Sequence, residues 1–138
     1  LNVFSDITWE KIAPKLFSHN AQFYDYSKNP KRFGNVLENY WVTFSRDEKN
    51  DKHAVRILDS GHNAAVVFYN PGRGFVGNRS KFQTLPKTWK GFPVIDGDTT
   101  DLRFEDSRGV VVGLRLKAAT TVNRQKAIDS GFAVPSFI

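Results

Sequence analysis

Six short apolar runs, each followed by a polar or charged residue, set the strongest limit on the fold of this 138-residue chain. The runs cover residues 1–4, 21–24, 40–44, 64–69, 92–95 and 110–116. Runs of this length that are rich in Val, Ile, Phe and Tyr are typical of buried strands, and buried strands at this spacing favour a parallel sheet. We therefore predict an α/β fold with a mostly parallel sheet of about six strands, forming either a partial barrel or an open sheet.

The length is sufficient for one domain with one hydrophobic core, so we expect residues 1–138 to form a single α/β domain. Leu1 falls inside the first predicted strand, which indicates a fragment of a larger protein or a processed product. No apolar stretch reaches the ~18 residues that a membrane-spanning helix needs, and no leader pattern precedes the first run. We expect a soluble, cytoplasmic protein without a membrane partner.

Helical patterns occur in three places between the apolar runs. Residues 8–17 have helical spacing that Pro14 should interrupt, and residues 47–60 form the best helix, with Gly61 in the position of a C-terminal cap. A short helix is expected at 124–129, followed by an apolar end that docks on the core. Residues 27–39 are predicted to be a surface loop and residues 70–92 a long irregular loop.

Composition limits the chemistry and the partners. The chain has no cysteine, which excludes disulfides, cysteine-ligated zinc and an iron–sulfur cluster held by this chain. An excess of Lys and Arg gives a formal net charge of +6, which favours polyanionic partners such as nucleic acid or a nucleotide. The alternative is a basic surface without such a partner.

An acidic segment follows the fifth apolar run. Asp96 and Asp98 flank a glycine, and such closely spaced carboxylates suit a divalent cation such as Mg²⁺ or Ca²⁺. The glycine stands in the wrong place for a helix–loop–helix calcium site. The alternative, which we favour, is an Asx turn followed by a helix cap.

The predicted loop at 70–92 contains five basic residues and no acidic residue. Its segment 72–77 matches the GxGxxG pattern of dinucleotide-binding turns, but no helical pattern follows, so the mechanism of that fingerprint is missing. Basic residues alternate with aromatic ones, which would allow phosphate neutralisation together with stacking on bases. The ligand-binding candidates from this loop are Arg73, Arg79, Lys81 and Trp89.

Polar residues at the ends of the other runs would meet at one rim if the strands are parallel. Such a rim could bind a phosphate or a sugar, or could simply cap helices. The ligand-binding candidates there are Ser5, Ser27, Lys28, Ser45, Arg46 and Lys117. The candidates for acid, base or metal-ligand roles are Asp6, Asp25 and Asp96.

Several motifs together resemble one protein family. They are Ser-Asp-Ile-Thr-Trp-Glu at 5–10, Phe-Tyr-Asp-Tyr-Ser-Lys at 23–28, Val-Thr-Phe-Ser at 42–45, Ala-Val-Val-Phe at 65–68, Val-Ile-Asp-Gly-Asp-Thr-Thr-Asp-Leu-Arg-Phe at 94–104 and Gly-Val-Val-Val-Gly-Leu-Arg at 109–115. The chain resembles phage proteins of the gene product 88 type. The resemblance implies a relation to radical-SAM barrels and a location in the cytoplasm of the phage host. Because radical-SAM chemistry needs a cysteine-ligated cluster, it further implies the second part of such a barrel, without the cluster. It assigns no catalytic residues.

Three functions stay open from the sequence. The first is a phage accessory protein that binds nucleic acid or a nucleotide phosphate at the carboxyl ends of the strands. The second is a small enzyme that acts on a phosphorylated or nucleotide-derived substrate through the strand-end aspartates. The third is a structural or inhibitory protein that binds another protein.

Overall fold

An open, mostly parallel sheet of seven strands dominates the computed structural model, which describes residues 2, 5–34, 37–71 and 83–137. The strands in chain order are β1 (Phe23–Ser27), β2 (Tyr40–Ser45), β3 (Ala64–Tyr69), β4 (Thr88–Trp89), β5 (Phe92–Asp96), β6 (Val111–Arg115) and β7 (Ala133–Pro135). Across the sheet their order is β1-β2-β3-β6-β5-β4, and β7 also pairs with β3. All pairs are parallel except β4 with β5. The predicted α/β class is thus confirmed, and the sheet is open.

The first face of the sheet carries the main hydrophobic core. Side chains alternate along each strand, and the register places Phe44, Ala64 and Val111 side by side on this face. All three are buried, and helix α2 (Asp51–Asp59) covers them with Ala54, Ile57 and Leu58. The opposite face, which we call the second face, carries Tyr24 and Tyr26 on β1 next to Trp41 and Thr43 on β2.

Helix α2 ends in the way that its sequence predicts. Gly61 adopts a φ of +83°, a conformation in which a residue with a side chain is strained. Its N–H bonds the carbonyl of Leu58, and the N–H of His62 bonds the carbonyl of Ile57. These two bonds form a Schellman motif, which satisfies carbonyls that the end of the helix would otherwise leave unpaired.

The remaining helices are short. Helix α1 (Trp9–Ile12) stops before Pro14, which starts a 3-10 helix over Pro14–Ser18, so the predicted interruption is confirmed. Helix α3 (Thr121–Asp129) begins three residues earlier than expected, because the Thr120 side chain accepts the N–H of Asn123 and caps it. Two further 3-10 helices cover Pro30–Phe33 and Arg103–Glu105.

Strand β7 occupies a place on β3 that β2 leaves vacant. β2 pairs with β3 only at Ala64 and Ala65, whereas β7 pairs with residues 67–69 of the same strand. The Arg46 guanidinium, at the end of β2, holds the two together: its Nη1 donates to the carbonyls of Gly131 and Phe132 at 2.7 and 2.8 Å. The predicted docking of the apolar C-terminal end is therefore confirmed for residues 133–135.

Strands β4 and β5 form a hairpin at one edge of the sheet. The turn residues Lys90 and Gly91 both have positive φ, 49° and 89°, as a type I′ hairpin turn requires. The sequence prediction of one irregular loop over 70–92 is wrong at this end, because Trp89 belongs to β4 and is buried in the core at 7% exposure. Segment 72–77 of that loop lies outside the described residues.

Two further sequence predictions need correction. β1 is shifted towards the C-terminus of the predicted run at 21–24, so Asp25 lies in the middle of the strand on its buried face, where it meets the Tyr40 hydroxyl. The predicted surface loop at 27–39 contains buried Arg32 and Phe33, because Phe33 packs edge-on against Phe44. The first predicted strand, residues 1–4, lies outside the described residues except for Asn2.

Candidate functional site

The parallel strands bring their carboxyl ends to one edge of the sheet, which we call the carboxyl edge. Ser27, Ser45 and Asp96 are the last residues of β1, β2 and β5. Asp6 joins them, since its carboxylate accepts the Ser27 hydroxyl at 2.6 Å and the Lys28 N–H at 2.8 Å. The carboxyl edge therefore collects most of the strand-end residues that the sequence singles out.

A cleft of ≈ 440 Å³ lies at this edge, over the second face, and we call it the carboxyl-edge cleft. Its cations are Arg46, Arg115 and Lys117, and its carboxylates are Asp98 and Asp101. Two aromatic rings, those of Tyr26 and Phe132, and the aliphatic side chains of β3 and β6 complete the lining. Charged, aromatic and aliphatic groups thus converge in one concave site of a size common for small ligands.

Arg115 is the most extensively bonded cation of the cleft. Its guanidinium forms a bidentate pair with Asp96, both N–O distances being 2.7 Å, and reaches Asp98 at 3.1 Å. Its Nε donates to the carbonyl of Gln83 at 2.7 Å. This arrangement leaves Arg115 little freedom and fixes the position of its charge.

Lys117 is much more exposed than Arg115. Its Nζ lies 2.7 Å from Asp98 Oδ1, but 65% of its side chain is exposed. An ion pair of this kind typically contributes about 0–1 kcal/mol to stability, so an incoming anion can replace Asp98 at little cost. Lys117 is therefore the cation that the cleft can most readily turn towards a ligand.

Asp98 in the cleft and Asp96 beside it are both held in their ionised form. Hydrogen bonds from Arg115 lower the pKa of Asp96 below its usual value, outweighing the opposing effect of its partial burial. Burial raises the pKa of Asp98, but hydrogen bonds from Lys117 and Arg115 together lower it by more, so its pKa lies below the usual value. Neither group is adapted to carry a proton near neutral pH.

The carboxylate oxygens of Asp96 and Asp98, which the sequence predicts as metal ligands, already accept hydrogen bonds from groups of the protein. The Asp98 N–H bonds Asp96 Oδ1, which forms the predicted Asx turn, and the remaining carboxylate oxygens accept from Arg115 and Lys117. Among the described residues, no group of three or more His, Cys, Asp or Glu side chains is arranged to hold a metal ion. The helix expected after this turn is reduced to the 3-10 helix at Arg103–Glu105, which has no side-chain cap.

Beneath the cleft, Arg103 is completely buried. Its guanidinium donates to the carbonyl of Thr100 and lies 3.5 Å from Asp106. A Cβ at Gly97, which lines the cleft, would stand 3.0 Å from Arg103 Nη1 and 2.5 Å from Val112 Cγ1. The absence of a side chain at Gly97 therefore lets the segment after β5 lie directly against β6 and the buried arginine.

Asp6 and Asp25 belong to a separate network on the first face. Buried Arg32 donates to Glu10 through Nε and Nη2, to Asp6 through Nη1, and to the Tyr40 hydroxyl at 2.6 Å. Tyr40 in turn donates to Asp25, whose carboxylate also accepts from Asn2. Burial, followed by the bond to Asp25, raises the pKa of the Tyr40 hydroxyl strongly, so this group stays protonated.

This network and Asp96 lie far apart. Three strands separate β1 from β5, which corresponds to roughly 19 Å at the usual strand spacing. Asp6 and Asp25 are connected through Arg32 and Tyr40, whereas Asp96 is too far away to act with them. The catalytic role of the three carboxylates stays a prediction, and the contacts of Asp6 and Asp25 are those of residues that attach the segment before β1 to the sheet.

The other predicted binding residues are dispersed. Ser5 is exposed and donates to Asn2, and Lys28 pairs with Asp47 at 3.2 Å. Buried Trp89 contacts the core instead of presenting its ring to solvent. Arg73, Arg79 and Lys81 lie outside the described residues. The residues that flank them, however, reach the carboxyl edge, where Thr84 and Asn70 exchange hydrogen bonds.

Four charged or aromatic residues that line the cleft are not among the site residues predicted from the sequence: Tyr26, Asp101, Arg115 and Phe132. Tyr26 could have been found, since a strand running to Ser27 places it on the same face as Ser45. The position of Phe132 depends on the pairing of β7 with β3, which no local pattern indicates.

In the part of the chain that the structure describes, no helix is long and apolar enough to span a bilayer.

A family model described as Gene product 88 matches residues 1–135, which is nearly the whole chain. No curated protein and no solved structure matches the chain.

Proposed function

The chain belongs to the gene product 88 family of phage proteins, and we propose that it binds a nucleotide unit, free or within nucleic acid, in the carboxyl-edge cleft. The observation that carries the proposal is the composition of this cleft: three cations and two aromatic rings around one concave site of ≈ 440 Å³. Phosphate requires the cations, and a base can stack on the rings. The relation to radical-SAM barrels also stays a proposal, supported by the run of parallel strands.

The phosphate would bind Lys117 first. Lys117 exchanges Asp98 for the phosphate, because its own pair with Asp98 is exposed and weak. Arg46 provides the second cation: its Nε and Nη1 bind Asp51 and the carbonyls of Gly131 and Phe132, which fixes the fork. No described residue accepts a hydrogen bond from Nη2, and we assign this group to the ligand. Ser45, next to Arg46 in the lining, adds a hydroxyl donor.

The charge balance of the cleft favours a nucleotide over a small inorganic anion. Asp96 and Asp98 neutralise most of the field of Arg115 and Lys117, so phosphate alone gains little from the site. A ligand that also places a base against Tyr26 or Phe132 gains stacking and apolar burial in addition. Affinity should therefore require both parts of the nucleotide.

Titration calorimetry with 5′-mononucleotides, the matching nucleosides and inorganic phosphate tests the proposal. We expect the mononucleotide to bind more tightly than either of its parts. Lys117→Gln should weaken nucleotide binding about tenfold, the usual effect of losing a hydrogen bond to a charged group. The matched control is Lys52→Gln, which removes the same charge from the exposed side of α2 and should leave binding unchanged. If neither mononucleotides nor oligonucleotides bind at low salt, the proposal is wrong.

A further inference from the structure

A second cavity, of ≈ 480 Å³, adjoins the carboxyl-edge cleft along β1. The two cavities share two lining residues, Tyr26 and Asp101. The cleft lies on one side of this shared wall, at the ends of β2, β5 and β6, and the second cavity lies on the other, beside Phe23 and Tyr24. A ligand that passes Tyr26 can therefore enter both.

The chemistry of the second cavity differs from that of the cleft. None of the residues described as lining it is Lys or Arg, so within the described part of the chain the phosphate-binding groups lie on the cleft side. The half-buried Tyr24 and Tyr26 line it from the second face, and Gln22 and Asp101 provide amide and carboxylate groups, whereas the Phe23 side chain lies on the other face of β1 and packs against the core. Aromatic surface beside uncharged donors and carboxylate acceptors suits a base and not a phosphate.

Tyr24 and Tyr26 are two residues apart on one strand and therefore share the second face. The Phe104 ring lies 5.9 Å from the Tyr24 ring at an interplanar angle of 54°, which supports Tyr24 from the segment after β5. Tyr26 lines both cavities and Tyr24 lines the second one, so the two rings together form a platform for the stacking of consecutive bases.

Building on the proposed function, we infer that the ligand is a single-stranded oligonucleotide: one nucleotide binds in the carboxyl-edge cleft with its phosphate near Lys117, and the base of its neighbour binds in the second cavity against Tyr24. A duplex does not fit this arrangement, because its bases are already paired and stacked. Asp101 lies in the wall that the two cavities share, and its carboxylate repels a phosphate. The phosphate that links the two nucleotides should therefore stay on the solvent side of this wall.

The test compares four ligands by fluorescence anisotropy or calorimetry: thymidine 5′-monophosphate, the dinucleotide dTpT phosphorylated at its 5′ end, the same dinucleotide with its second base removed, and an oligomer of eight thymidines. We expect the intact dinucleotide and the oligomer to bind at least about fivefold more tightly than the monophosphate, as stacking of one more base predicts. Removing the second base should abolish that gain.

Protein variants give the second arm of the test. Tyr24→Leu should remove the dinucleotide's advantage and leave the affinity for the monophosphate unchanged, whereas Tyr24→Phe should retain the advantage. If Tyr24→Leu does not fold, the affinity of the unmodified protein for the dinucleotide that lacks its second base still tests the inference. Equal affinities for the monophosphate and both dinucleotides would overturn the inference and leave the proposed function standing. Absence of binding to all four ligands would overturn both.

Discussion

Among the glycines that the structure describes, Gly97 leaves the least room for a side chain. A Cβ there would meet Val112 Cγ1 at 2.5 Å and Leu114 Cδ2 at 2.9 Å, both within the packed second face. We predict that Gly97→Ala lowers the free energy of unfolding by about 1–3 kcal/mol, the usual cost of overpacking. Urea denaturation of both proteins measures this change, and a loss below about 0.5 kcal/mol would contradict the packing described for the cleft floor.

The ion pair of Asp96 with Arg115 predicts how stability depends on pH. Because the folded pKa of Asp96 lies below its ordinary value of 3.8, the pair stabilises the fold above that value and the contribution is lost as the pH falls through the folded pKa. Asp98 has the same sign. We expect Asp96→Asn to lower the melting temperature at pH 7 and to have less effect at an acidic pH below 3.8. An equal loss at both pH values would show that the carboxylate charge is unimportant.

The same aspartates distinguish an ion-paired site from a metal site. Their oxygens are already engaged by Arg115 and Lys117, so we expect Mg²⁺ and Ca²⁺ to leave the melting temperature unchanged. An increase that disappears in Asp98→Asn would instead support the metal role predicted from the sequence. Calorimetric melts with each ion and with a chelator provide the measurement.

At the level of single residues, the sequence predicted which groups reach the carboxyl edge better than what they contact there. Ser45 and Asp96 end their strands as predicted, since an apolar run followed by a polar residue is a local signal. The partner of Asp96 is Arg115 on the neighbouring strand, and that pairing depends on a register that no local pattern specifies. Arg32 was missed for the same reason, because its partners come from the segment before β1.

At the scale of secondary-structure elements, the C-terminal cap of α2 can be tested by substituting Gly61, with Gly34 as the matched control. Gly61 follows the helix with φ of +83°, whereas Gly34 has φ of −87°, and a Cβ would meet nothing within 4 Å at either position. Gly61→Ala should therefore cost about 1 kcal/mol through backbone strain alone. Gly34→Ala should be neutral or stabilise the protein by up to about 1 kcal/mol, because alanine restricts the unfolded chain.

Thermal and urea melts of the two glycine variants make the comparison direct. Equal effects of the two substitutions would mean that the Schellman motif does not depend on the glycine conformation. The cap was predictable because glycine after an amphipathic stretch is a local signal. The position of β1 was not, because its central Asp25 breaks the apolar run and is satisfied only by Tyr40 and Asn2, which lie on other parts of the chain.

For the whole molecule, Arg46 connects three parts of the fold. Its side chain is 7% exposed and binds Asp51 at the start of α2 and the carbonyls of Gly131 and Phe132 before β7. Arg46→Lys keeps the charge but cannot make all three contacts, since lysine lacks the planar fork. We expect a loss of about 1–3 kcal/mol in the free energy of unfolding, together with faster amide exchange in β7.

The control for this change is Arg56→Lys, an exposed arginine within α2. It should alter neither the stability nor the exchange of β7. Exchange in β7 that is unaffected by Arg46→Lys would show that pairing with β3 alone holds the C-terminal strand. The parallel architecture as a whole followed from the apolar runs, whereas the insertion of β7 beside β3 did not, because three residues carry too little pattern to be recognised.

The position of β7 also has a consequence in time. Ser136 bonds the carbonyl of Tyr69, a residue that lies 67 positions earlier in the chain. During synthesis at roughly 5–20 residues per second, the second half of β3 emerges from the ribosome several seconds before the strand that pairs with it. Until then one side of that half strand lacks its partner, so a nascent chain from which β7 alone has not yet emerged has a sheet that is incomplete at its centre instead of at its edge.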